Sequence, residues 1–156
     1  MDAIATAGLT RIFGAKRAVD DLTLTVRQGD IYGFVGRNGS GKSTVMKMIC
    51  GLVPQTAGTV RIFGEQFAPG TTSRRIGAVI EDPGFYPGFT GLDNVRCRAL
   101  SLGLPDEKAA SARALEQVGL AEVARKKAKA YSLGMKQRLG LAMALVGSPD
   151  ILMLDE

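Results

Sequence analysis

Gly36-Arg37-Asn38-Gly39-Ser40-Gly41-Lys42-Ser43 governs the reading of this 156-residue chain. The stretch fits the spacing GxxxxGK[ST]. It stands between an apolar run that reads as a strand, Ile31-Tyr-Gly-Phe-Val35, and a segment where Val45, Met48, Ile49 and Leu52 recur at helical spacing. Glycines allow the loop to curl, so that main-chain N–H groups from about Asn38 to Thr44 converge on phosphate oxygens, and the helix start adds its partial positive charge. Gly36, Asn38, Gly39, Ser40 and Gly41 form the cradle. Lys42 is expected at the β- and γ-phosphates, the Ser43 hydroxyl at Mg2+, and Thr44 at the α-phosphate.

Outward from the loop, Ala3 to Leu9, Leu22 to Val26, Thr59 to Phe63 and Ile76 to Ile80 read as strands, with Arg27-Gln-Gly-Asp30 as a turn. Gly51 and Pro54 end the first helix. From Pro83 a Gly- and Pro-rich loop carries Phe85, Tyr86 and Phe89, aromatics placed to form a partner surface or to fold back on neighbouring helices. Thr90 with Asp93 makes a capping box for a helix bearing Leu92, Val95, Ala99 and Leu102. Pro105-Asp-Glu107 opens a second helix running to about Val118, and Met135, Leu139, Ala142, Met143 and Val146 mark a third. Ile151 to Leu154 reads as a short buried strand of a parallel sheet, delivering Asp155 and Glu156 to its carboxyl end, where ligands gather in open α/β sheets. One carboxylate there can hold Mg2+ or its waters, and a second can orient or deprotonate an attacking water. The pattern is α/β with a helical subdomain.

Composition narrows the chemistry. There is no His, so no imidazole acid-base pair, His triad or His-ligated metal can be drawn from these residues. Cys50 and Cys97 are too few for a disulfide framework and lack metal-site spacing. The longest apolar stretch, Leu139 to Gly147, falls well short of the roughly 18 residues that read as a membrane span, and nothing near Asp2 resembles an export signal. A net charge of +5 suits an anionic partner without choosing one. The basic run Arg125, Lys126, Lys127 and Lys129 reads as a solvated face; with only Tyr131 near it to stack on bases, no nucleic acid is expected.

Tyr131-Ser-Leu-Gly-Met-Lys-Gln-Arg138 follows Lys42 by about 90 residues and precedes Asp155. With loop, YSLGMKQR and acids in this order, the chain resembles the nucleotide-binding subunit of an ATP-binding cassette (ABC) transporter over essentially its whole length. YSLGMKQR itself is similar to the bacitracin-resistance and lantibiotic-immunity subgroup. Ser132 and Gly134 match the family's LSGGQ signature; its first Gly and its Gln are replaced by Leu133 and Met135. The resemblance implies a RecA-like P-loop core with an N-terminal antiparallel β subdomain. Residues 1–82 would form that core, 83–148 the Q-loop region and helical signature subdomain, and 149–156 the strand of the catalytic acid.

It also implies a site shared between two subunits paired head to tail. Ser132 and the Gly134 amide of one would meet the γ-phosphate of ATP held by the other. Glu156 is the implied catalytic base, and Ser43, Glu81 and Asp155 the implied Mg2+ neighbours. Phe13 lies where the family stacks an aromatic on adenine, and also reads as an ordinary core Phe. Glu81 stands at the family's Q-loop Gln, and Phe85, Tyr86 and Phe89 lie where a membrane permease docks. The implied function is ATP hydrolysis coupled to export through a separate permease, at the cytoplasmic face of the membrane. A non-transport ABC ATPase acting on ribosomes or DNA, and a nucleotide-binding fragment without turnover, stand beside it. Family members continue past the catalytic acid with a D-loop, a strand and a switch His. The 156-residue polypeptide alone is therefore expected to be marginally folded or to aggregate, and not to hydrolyse ATP at a useful rate.

Overall fold

The computed structural model describes residues 1–155. The chain divides into two compact units, Met1–Ser73 and a second beginning at Arg74.

In the first unit β1 (Asp2–Phe13) and β2 (Lys16–Arg27) form a long antiparallel hairpin. Beyond β2, Asp30 accepts from the Arg27 amide and closes the expected turn. α1 (Lys42–Ile49) follows the phosphate loop, then β3 (Ala57–Ile62) and the two-residue β4 (Glu65–Gln66), giving the antiparallel sheet order β2-β1-β3-β4. Leu9, Val19, Val60 and Ile62 are buried on the sheet, and α1 buries Val45, Met46, Met48 and Ile49. The register between the hairpin strands slips where Arg11 faces Val19 and Ile12 faces Arg17, so Ala18 is an extra, bulged residue of β2.

The second unit pairs β5 (Ile76–Val79) in parallel with β6 (Ile151–Leu154), Val79 opposite Leu154. Between them come α2 (Gly91–Ser101), α3 (Glu107–Gln117) and α4 (Leu133–Leu145). These helices enclose Val95, Ala99, Leu115, Leu120, Tyr131 and Leu139, and α4 also packs on β5. Thr90 caps α2 by accepting from the Asp93 amide, and Asp106 caps α3 by accepting from the Ala109 amide. Asn94 is wholly buried: its Oδ1 accepts from the Tyr86 amide at 2.7 Å, and its Nδ2 donates to the carbonyls of Tyr86 and Thr90.

Three expectations change. Ile31–Val35 forms no strand, and Ile31 and Val35 lie in the open. An extended run becomes a strand only with a ladder neighbour, and no described segment pairs with it. β6 is parallel as read but not buried, since Leu152 and Leu154 face outward with Leu154 55% exposed. Among the described residues it pairs with β5 alone, which leaves part of its surface uncovered. Of the loop aromatics, Tyr86 and Phe89 are exposed with ring centroids 5.2 Å apart, whereas Phe85 packs against the helical core.

Candidate functional site

The phosphate loop is built by local geometry. The Ser40 amide donates to the Arg37 carbonyl at 3.0 Å, Gly39 and Gly41 take φ of 81° and 94°, and α1 starts at Lys42. Gly41 is required twice. Its backbone is left-handed, and a Cβ there would lie 2.5 Å from the Ala18 carbonyl oxygen, so the β2 bulge and the loop approach closer than any side chain permits. No side chain caps α1 and its first turn carries no acid, which leaves the helix's positive end uncompensated. Lys42 folds over the loop, its Nζ donating to the carbonyls of Gly36 at 2.8 Å and Arg37 at 3.2 Å. Gly36, Asn38, Gly39 and Ser40 are exposed, and Ser43 and Thr44 lie half-buried in the first helical turn. At the far end of α1, burial pushes the Cys50 thiol up to about 11, which keeps it a neutral core group.

Phe13 ends β1 opposite Lys16, two residues along β2 from the Ala18 carbonyl that meets Gly41. It is 44% exposed and so is not a core residue. The Arg11 guanidinium lies 4.3 Å from its ring centroid, a contact foreshadowed only by a cation two positions before an aromatic on one strand face.

In the second unit Glu81 and Asp155 sit at the same end of the parallel pair. The Asp155 amide donates to the Val79 carbonyl at 2.9 Å, extending the ladder, and Glu81 follows two residues beyond Val79. Glu81 is exposed with φ of 60°, a left-handed backbone that costs a non-glycine residue about 1–3 kcal/mol and that concentrates at ligand sites. Glu156 lies outside the described residues.

Ser132 and Gly134 form a further group, exposed at the start of α4. Ser132 is the N-cap, its hydroxyl accepting from the Met135 amide at 3.3 Å. Tyr131 before it is buried and donates its hydroxyl to the Val123 carbonyl at 2.8 Å. A Cβ on Gly91 would lie 2.2 Å from that hydroxyl oxygen, so Gly91 makes room for it. This seat for the α4 start went unread in the sequence, because the partners are 40 residues apart.

No three of His, Cys, Asp and Glu gather to hold a metal among the described residues. Each unit taken by itself offers hard oxygens of the kind Mg2+ accepts, the Ser43 hydroxyl in the first and the Glu81 and Asp155 carboxylates in the second. No helix of the described residues is long and apolar enough to cross a membrane.

The sequence model of the ABC transporter family matches residues 19–156. The bacitracin transport ATP-binding protein BcrA of Bacillus licheniformis is 46% identical over 155 residues, covering 98% of this chain and 50% of that protein. The lantibiotic transport ATP-binding protein SrtF of Streptococcus pyogenes is 35% identical over 148 residues, 95% of this chain and 63% of that one. The chain thus spans about half the length of the BcrA relatives it matches. Among solved structures, cbiO1 from Clostridium perfringens, described as part of the ABC transporter complex cbiONQ, superposes with a TM-score of 0.82 at 23% identity, over 99% of this chain and 65% of that chain. At that identity the likeness shows the fold: an ABC cassette with an antiparallel β subdomain.

Proposed function

We propose, from the premise that this chain belongs to the ABC transporter family, that it is the ATP-binding part of an exporter of the bacitracin and lantibiotic type. The observation that carries the reading is the start of α1, where an uncapped helix, two left-handed glycines and a folded-over Lys42 make a preformed seat for polyphosphate. Main-chain N–H groups from Asn38 to Thr44 bind the phosphates, Lys42 pairs with the β- and γ-oxygens, and Phe13 stacks on the base.

Ser43, Asp155 and Glu81 would hold Mg2+, which neutralises charge on the β- and γ-phosphates when bound. Glu156 orients the attacking water. Ser132 and Gly134 of a second copy, paired head to tail, close over the γ-phosphate. Tyr86 and Phe89 offer an apolar surface to a membrane permease, with Phe85 anchoring the loop from beneath. The assembly works at the cytoplasmic face of the membrane and couples hydrolysis to export. Residues 1–82, 83–148 and 149–156 divide the work into nucleotide seat, Q-loop region with helical signature subdomain, and catalytic-acid strand.

Calorimetric titration of the chain with Mg·ATP tests the seat. Removing a charge-assisted contact costs about 1.5–3 kcal/mol, so Lys42→Ala is expected to weaken ATP about 10- to 100-fold with the circular dichroism spectrum retained. Equal affinity in both proteins would refute the reading.

A further inference from the structure

Arg11 and Phe13 stand two apart on β1 and share a face. Two contacts hold the guanidinium, and one of its donors stays unused. Its carbon lies 4.3 Å from the Phe13 ring centroid, its Nη1 donates to the Pro54 carbonyl at 2.7 Å, and its Nε is buried with no hydrogen-bond partner. No carboxylate pairs with it among the described residues. The carbonyl that anchors it is itself held in place. The Thr56 amide donates to the Thr10 carbonyl at 2.8 Å, and the Thr56 hydroxyl accepts from the Ile12 amide at 3.1 Å, tying the 54–56 segment to β1 on both sides of Arg11.

The geometry points to Arg11 as a positioning residue for the nucleotide base, acting through Phe13. The inference rests on the nucleotide reading above and adds to it a group that never touches phosphate. The guanidinium covers one face of the ring, so a base can stack only on the other. It also holds the ring in one orientation, so less rotational freedom is lost when a base arrives. A cation against one face draws the ring's electron density toward it and favours an electron-rich purine on the opposite face. The hairpin tip is well placed for this. From Lys16, opposite Phe13, to Ala18, against Gly41, is two residues, or about 7 Å of strand. The base seat at the hairpin tip therefore lies close to the hairpin bulge that the phosphate loop abuts at Gly41.

Binding of Mg·ATP and of magnesium tripolyphosphate, which has the phosphates and no base, separates the roles. Wild type is expected to bind ATP more tightly than tripolyphosphate. Arg11→Met should weaken ATP about three- to fivefold and leave tripolyphosphate unchanged. In a Phe13→Leu background, where no ring remains to position, Arg11→Met should have no further effect on ATP. Arg11→Lys keeps the charge and a donor for Pro54 but not the planar fork, and should cost ATP about twofold. The proposal is overturned if tripolyphosphate weakens by the same factor as ATP, or if the Arg11 effect persists without Phe13. Failure of wild type to bind either ligand would overturn the nucleotide reading and this inference with it.

Discussion

Two helices of this chain begin at residues assigned to meet phosphate, and they begin in opposite ways. α1 starts from a left-handed glycine with no side-chain cap, its first-turn N–H groups left to an outside acceptor. α4 starts from an extended serine whose own hydroxyl accepts from the Met135 amide, although at a long 3.3 Å. The first start is shaped by its own glycines and by the β2 bulge. The second is placed by packing at a distance, through Tyr131 on Val123 and against Gly91. An anion at α1 therefore displaces no side-chain cap, whereas one at Ser132 competes with an existing bond. This is the asymmetry expected under the proposed reading, in which α1 holds the nucleotide and the α4 of a second copy closes on it afterwards.

The largest effect should come from Gly41→Ala. It places a methyl against the Ala18 carbonyl at a left-handed position, and should destabilise the loop by about 3 kcal/mol and weaken ATP more than about 100-fold in the same titration. Wild-type affinity in this variant would break the comparison, because the loop would then not be preformed. Gly91→Ala acts on the other helix. Its methyl meets the Tyr131 hydroxyl, with an expected loss of about 2 kcal/mol in urea unfolding, part of which a second change, Tyr131→Phe, should restore. Strictly additive losses would mean that the hydroxyl is not seated there. Ser132→Ala should cost least, about 1 kcal/mol for a lost N-cap, with Ser132→Gly milder by most of that amount. A Ser132→Ala loss as large as that for Gly41→Ala would erase the distinction between the two starts.

What could be read from residues alone follows the range of the forces involved. The helices, the Thr90 cap and the phosphate loop were legible because each is specified within a few residues. A helix also satisfies its own backbone, so its pattern suffices to predict it. A strand does not. Ile31–Val35 and Ile151–Leu154 carry equally apolar patterns, yet the first forms no strand and the second stays half uncovered. The pattern reports what a segment is suited to, not whether a neighbour is there to pair with it. In the candidate site, the loop, Glu81, Ser132 and Asp155 could be named from motif and order. Arg11 over Phe13, and Tyr131 in the space left by Gly91, required the third dimension.

The amide of Asn94 does for the aromatic loop what a neighbouring strand does in a sheet, giving and receiving a main-chain bond at Tyr86 while holding Thr90 as well. That arrangement depends on one nitrogen. Exchanging this NH2 for a carboxylate oxygen, as Asn94→Asp does, would set an acceptor against the carbonyls of Tyr86 and Thr90 at a fully buried position. The surface formed by Tyr86 and Phe89 thus depends on a side chain that lies beneath it and takes no part in the surface itself.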